Sequence, residues 1–396
     1  MYSYSASLTP YFCALQALFL IANFSIFKSL LNPAVLNACV WFIFPFIHLT
    51  LNHNLIPISD FASFIIFSSS IVFTLGVITA KKIHSPNPAK PMQPSKNLIS
   101  FFGGVSALCV VPYYLRAREL ASHGTTGSFM VDLRISLNNP NFNESFGLLA
   151  YAGPISFAAF FLTIANESIR IRSWLFFGTL VLAVFYAGIS TGRTFIFMLL
   201  ITSVSLLYFR RPQYFTVKLV VFAVVLLAGI FWIVGTLMGK LGDGNISSAE
   251  VIHVYLLGGL SAFSSSLENL SNYTYGSNSF RIFFAVAGRI GFDVPITDLV
   301  KGYAYIPYPT NVYTVFMPYI EDFGVLYLLI SLGLISFFIG LLYYNAINGH
   351  TRSAVMYSLF CYAILTQWFQ DQFASLATTW ILFFLLVSAS LIRLKR

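Results

Sequence analysis

Charge is what this chain has least of. Asp, Glu, Lys and Arg together make up 9% of its 396 residues, against roughly 25% in an ordinary soluble protein. A surface so poor in charge cannot be wetted all round, which excludes a soluble globular protein. Cysteine is equally scarce: Cys13, Cys39, Cys109 and Cys361 are the four in the chain. All fall inside apolar runs, and no pair has the spacing of a metal or redox motif. They read as small buried hydrophobes. HExxH, DxD and Cys/His clusters are lacking, so no metal or cofactor is expected. A basic stripe is lacking too. The formal charge of +9 lies in short clusters between apolar segments, which argues against a nucleic-acid partner. The first positive charge, Lys28, follows the first apolar run instead of preceding it, so a cleaved signal peptide is not expected.

What is present is apolar sequence in long pieces. Hydrophobic residues make up 58% of the chain, with 42 Phe and 22 Tyr, a composition suited to lipid-facing helices and interfacial aromatic belts. Runs long enough to span fall near 10–27, 33–51, 59–80, 98–115, 146–165, 174–189, 194–208, 218–239, 322–346, 354–370 and 375–392. The expected fold is therefore an all-α polytopic membrane protein, a single membrane domain over 1–396 with about eleven transmembrane helices. One set of loops holds 14 basic residues and a single acid, Glu167, while the opposite set holds 8 basic and 12 acidic residues. By the positive-inside rule the first set is cytoplasmic, including the Pro-rich linker at 81–97. The N-terminus is then outside and the C-terminus inside.

Two outer segments are too long to be turns, 116–145 and 240–321. The second contains two moderately apolar stretches, 251–263 and 280–292, each shorter than a span and broken by Gly. They read as interfacial or re-entrant helices; if one crosses, the count becomes twelve. Long loops on a rigid scaffold are where sites are built, so the outer face is where chemistry is expected.

Candidate residues follow from that asymmetry. Arg193, in Ser190-Thr191-Gly192-Arg193, stands at a tight break between spans. It is either a snorkelling interfacial arginine or an anion clamp whose planar fork suits phosphate oxygens. Arg134 lies mid-loop beside Asp132, as a surface pair or a second clamp. Arg281 and Arg289 are eight residues apart and could share a helix face, as they would on an amphipathic surface helix. In 308–324, Thr310, Asn311, Tyr313 and Tyr319 interleave amide and hydroxyl groups with aromatic faces. That is the equipment of a sugar site, and also of an interfacial belt. Glu321 and Asp322 stand together at a span entrance. One is expected to cap the helix and the other to pair with an outer arginine. His253, beside Glu250, could accept a proton from an attacking hydroxyl or serve a structural role.

The stretch YPTNVYTVFMPYIEDFG (308–324) resembles the signature of bacterial oligosaccharide repeat-unit polymerases, the Wzy-type O-antigen polymerases. STGRT (190–194) resembles that family's small-residue-plus-Arg motif, and YLLGGLSAF (255–263) is more loosely similar to an outer-loop stretch. The resemblance implies a metal-independent membrane glycosyltransferase of the helical GT-C-like class, in the bacterial inner membrane with its active face periplasmic. Such enzymes transfer a growing glycan from undecaprenyl pyrophosphate to the terminal sugar of a new lipid-linked repeat unit. Arg193 and Arg134, supported by Arg281 and Arg289, would stabilise the departing pyrophosphate. Glu321, Asp322 or His253 would act as base, and Asn311, Tyr313 and their neighbours would position sugars. A flippase and a chain-length regulator of the same pathway are the implied partners. The alternatives are a lipid-linked oligosaccharide flippase and an O-antigen ligase.

Overall fold

The computed structural model describes residues 7–85, 88, 90–138, 145–237, 248–270, 272–298 and 301–392; the side chains of Asn138, Arg193, residues 230–237 and Ser248 lie outside that description. The helices run α1 (Thr9–Phe27), α2 (Pro33–Thr50), α3 (Asp60–Ile83), α4 (Lys96–Leu108), α5 (Val110–Ala121), α6 (Phe129–Asn138), α7 (Ala152–Ala165) and α8 (Trp174–Ile189). They continue with α9 (Arg193–Arg210), α10 (Val217–Leu237), α11 (Ser248–Glu268), α12 (Arg281–Arg289), α13 (Met317–Ile347), α14 (Thr351–Leu365) and α15 (Ala377–Leu391). A two-stranded antiparallel hairpin, β1 (Ala304–Tyr305) and β2 (Pro309–Thr310), precedes α13. Each expected span is thus helical over most of its length. Among the described residues six segments are long and apolar enough to cross a membrane: Thr9–Phe27, Pro33–Thr50, Asp60–Ile83, Lys96–Ala121, Gly147–Ala165 and Met317–Ile347. Shorter apolar helices cover Trp174–Ile189, Thr194–Arg210, Val217–Gly229 and Ala377–Leu391.

The chain divides into two compact units. The first comprises Met1–Pro86, Ser247–Tyr344 and Ala363–Thr378. Its N-terminal helices begin where the local chemistry dictates. Asn32 accepts from the backbone N–H of Ala34 ahead of Pro33, and Ser59 accepts from that of Ala62. Both satisfy N–H groups that a helix start leaves open. In α1 the buried polar residues Thr9, Gln16 and Asn23 recur every seven positions. Each meets a hydroxyl of α3: Ser63 at 3.1 Å, Ser70 at 2.7 Å and Thr74 at 3.2 Å. Lipid offers no competing water, so such a polar seam holds helices in register. The packing of α3 on α13 relies on small residues. A methyl group at Gly76 would stand 2.6 Å from the carbonyl oxygen of Gly333, so the backbones approach as only glycine permits.

The stretch 251–263 differs from expectation. It belongs to a continuous 21-residue helix, α11, with Leu257, Leu260, Ala262 and Phe263 buried. Its glycines do not break it. A methyl at Gly259 would lie 2.6 Å from the carbonyl oxygen of Trp368; the glycine marks a close contact. The stretch 280–292 does hold only a short helix, α12.

The second unit comprises Asn87–Ile246, Asn345–Tyr362 and Thr379–Arg396. Its centre is α7, buried without interruption from Ser156 to Ala165 and packed against α4, α8 and α9. The last carbonyls of α7 are met by two buried arginines. Arg211 donates to the carbonyl oxygens of Ile164, Asn166 and Ile169 at 2.9, 2.7 and 2.6 Å. Arg210 donates to that of Ala165 and pairs with Glu167 at 2.9 Å. These guanidinium groups satisfy the acceptors that a helix C-terminus leaves open. The described part of 116–145 also carries structure, the end of α5 and the whole of α6.

Candidate functional site

In the first unit, the segment from α11 to α13 and the α14–α15 connection surround a small open cavity. It is lined by Asn278, Arg281, Thr297, Asp298, Lys301, Asn311, Tyr313, Thr314, Pro318, Gln370, Asp371 and Ser375. Polar side chains dominate: amides, hydroxyls, two cations and two carboxylates.

Asp322 holds one wall. Its buried carboxylate accepts from the hydroxyls of Thr274 and Ser279, the backbone N–H groups of Asn278 and Ser279, and the Asn278 amide. These bonds tie the 274–279 loop to the start of α13, and with it Asn278. The chain can turn Asp322 toward this loop because α13 is broken immediately after it. Phe323 and Gly324 leave helical geometry, Gly324 with φ +82°. One further link fixes the wall: Arg281 Nε donates to the carbonyl oxygen of Thr297 at 2.7 Å.

Glu321 is placed differently. Its partner is Lys301, not one of the outer arginines, and its Oε2 also accepts from Asn278 Nδ2 at 3.2 Å. Its Oε1 has no hydrogen-bond partner among the described residues. The charge of Glu321 acts on Tyr313, whose phenol is pushed up first by burial and then by this carboxylate. Tyr313 donates to the carbonyl oxygen of Gly302 at 3.0 Å.

Asp371 was not singled out by the sequence reading. Both its oxygens are engaged, by the N–H groups of Phe373, Ala374 and Ser375 and by the Tyr319 hydroxyl. Burial nevertheless pushes its carboxyl up to about 6. A signal was available, because Asp371 is the lone charged residue between Arg352 and Arg393. Asn278 and Lys301 were missed as well. Neither has a motif, since folding alone brings them beside Glu321.

Of the other expected residues, Arg281, Asn311 and Tyr313 line the cavity, and Tyr319 is buried behind it, bonded to Asp371. Thr310 is buried and does not line it. Arg289 ends α12 in an exposed position. His253 is half-buried on α11, its ring 6.1 Å from that of His53, and does not line the cavity. Arg134 and Arg193 belong to the second unit. Arg134 sits on α6, where the neighbouring Asp132 is held by Thr126 through its N–H and hydroxyl at 2.9 and 2.8 Å. Arg193 is the first residue of α9. The break before it is real, with Thr191 at φ +55° and Gly192 at the helix start. The side chain of Arg193 lies outside the described residues. Among the described residues no group of three or more His, Cys, Asp or Glu side chains is placed to hold a metal ion.

Chemically, the cavity offers cations for an anion, amides and hydroxyls for a polyol, and the carboxylates of Asp298 and Asp371. Glu321 does not line it and stands beside it, bonded to the lining Lys301 and Asn278. The chain is similar to an O-antigen polymerase of Shigella dysenteriae, 26% identical over 226 residues, which is 56% of each chain. The resemblance seen in the sequence motifs is thus matched by a curated relative, of which the chain spans about half the length. No family model and no solved structure matches.

Proposed function

We propose that the protein is a membrane glycosyltransferase that polymerises lipid-linked oligosaccharide repeat units in O-antigen or related surface polysaccharide synthesis. The observation that carries this reading is a single cavity combining neutral sugar-type ligands, Asn278, Asn311, Tyr313 and Gln370, with the cations Arg281 and Lys301. A saccharide joined to a pyrophosphate needs both kinds of group. The relative named for O-antigen polymerisation supports it.

In this reading the hydroxyl of the terminal acceptor sugar attacks the anomeric carbon of the donor glycan. A new glycosidic bond forms as the bond to undecaprenyl pyrophosphate breaks, and the leaving group departs with the electron pair. Glu321 takes the proton, through the oxygen that carries no other hydrogen bond. Arg281 and Lys301 stabilise negative charge on the pyrophosphate. Asn278, Asn311 and Tyr313 position the sugars. Asp322, with five donors on its two oxygens, positions the loop instead of receiving the proton. Arg193 and Arg134, in the second unit, are proposed as phosphate-binding residues on the strength of the sequence alone, independently of the cavity. The fold is taken as GT-C-like, in the bacterial inner membrane with the cavity on the periplasmic side. A flippase and a chain-length regulator of the same pathway are the proposed partners.

The test is deletion of the gene, with surface polysaccharide resolved by gel. Loss of the length ladder with a single repeat unit retained is the expected result. Complete loss of surface glycan would overturn the polymerase assignment in favour of a flippase or a ligase.

A further inference from the structure

None of the nine residues of α12 is buried. Its most exposed large side chains are Phe283 at 69% and Val286 at 55%, followed by Ile290, one residue past its end, at 69%. These positions stand at i, i+3 and i+7, so they share one face. Phe280 and Phe292 continue the exposed apolar character at either end. A helix in an aqueous loop turns its apolar stripe toward the protein; α12 turns it away. Arg281 and Arg289 stand at the two ends. At about 1.5 Å per residue the helix is roughly 14 Å long, about half of a ~30 Å hydrocarbon core, so it cannot cross a bilayer.

An outward apolar face needs cover. Two features favour lipid over a protein partner: the chain is built from helices of membrane-spanning length and hydropathy, and the terminal guanidinium groups complement lipid phosphates. We propose that α12 is an in-plane membrane helix whose Phe283–Val286–Ile290 face rests among acyl chains. Through Arg281 it holds the mouth of the cavity at the level of the lipid phosphates. The inference rests on the preceding reading only for its consequence. A polyprenyl tail would stay in the bilayer while its pyrophosphate reaches Arg281, whose Nε is held by Thr297 and whose Nη groups have no partner among the described residues.

The experiment uses the full-length protein in nanodiscs of phosphatidylethanolamine and phosphatidylglycerol. The four native cysteines are replaced, and single nitroxide labels are placed through Phe283→Cys, Val286→Cys and Ile290→Cys, with Phe284→Cys and Ala285→Cys on the other face. Relaxation is measured with oxygen, which partitions into lipid, and with a water-soluble nickel chelate. Expected is oxygen access with nickel protection at 283, 286 and 290, and loss of that pattern at 284 and 285. Nickel access at the three positions, showing a helix in water, would overturn the proposal. So would exclusion of both reagents, which indicates a protein cover such as a second copy. This readout needs no activity and stands or falls apart from the polymerase reading. A second arm compares the Phe283→Asp/Val286→Asp variant on donors with long and short prenyl tails. Expected is a loss of about tenfold or more confined to the long-tail donor. Equal rates, or equal loss on both, would sink the delivery role. Inactivity of the unaltered protein on both donors would count against the polymerase reading alone.

Discussion

Glu321 and Asp322 are adjacent in the chain and opposite in circumstance. Asp322 is buried with five donors on its oxygens; Glu321 is partly exposed, paired with Lys301, with one oxygen unbonded. Sequence reading could place both at a helix entrance, but could not divide the roles, because the dividing partners come from residues 20 to 48 positions away. The proposed division is testable. Glu321→Gln should lower polymer formation about 100-fold or more, as loss of a general base does, while the folded protein persists with a melting point lowered by the lost ion pair to Lys301. Asp322→Ala should instead lower stability by about 3 kcal/mol, because the donors of Thr274, Asn278 and Ser279 lose their acceptor. Asp322→Asn, which keeps shape and some acceptor capacity, should retain part of that stability in thermal melts of purified protein. Asp371 carries a pH signature. Its carboxyl, pushed up to about 6 by burial from an ordinary 3.8, holds a proton in the folded state that the unfolded chain releases. Stability should therefore fall as pH rises from about 4 to about 6 and level off above. The Asp371→Asn variant should lack that slope in melts across this window.

At the scale of elements, apolar runs were readable because lipid imposes long uninterrupted helices, whereas the expected helix cap at Glu321 or Asp322 is not formed, as α13 begins at Met317 and both carboxylates lie within it. Breaks and continuities inside elements were not readable. Gly258 and Gly259 read as an interruption, yet α11 continues through them, since the constraint is the Trp368 backbone against Gly259. Gly324 read as part of a span, yet it bends α13 at φ +82° and ψ −174°, a conformation essentially restricted to glycine. Gly324→Ala should cost about 1–3 kcal/mol in stability and loosen the 274–279 loop, measurable by melting and by hydrogen exchange there. The arginine pair at 210 and 211 counts in sequence only among the basic loop residues. The carbonyls of α7 give it a task in the fold. Arg211→Ala should lower stability by about 2 kcal/mol, because several buried acceptors lose their donor at once.

At the scale of the whole molecule, the proposed orientation rests on charge placement and is open to a direct test. Lys90→Cys, in the Pro-rich linker, should react with a membrane-impermeant thiol reagent only after permeabilisation, whereas Tyr305→Cys, in the hairpin, should react in intact spheroplasts. The reverse pattern would invert the orientation and remove the cavity from the periplasmic side.

The sequence by itself determined that this is a multi-helix, apolar chain whose polar residues gather in a few long segments between the apolar runs. Both follow from composition and spacing, which need no knowledge of partners. It also singled out Arg281, Asn311 and Tyr313 as candidates, and these three line one cavity in the fold. Only the tertiary structure decided that Lys301, Asn278 and Asp371 join them, and that Glu321 and Asp322 serve different ends. A cavity is closed by contacts between segments far apart in the chain. Which distant side chain supplies a hydrogen bond depends on how the helices pack, a property that no local pattern encodes.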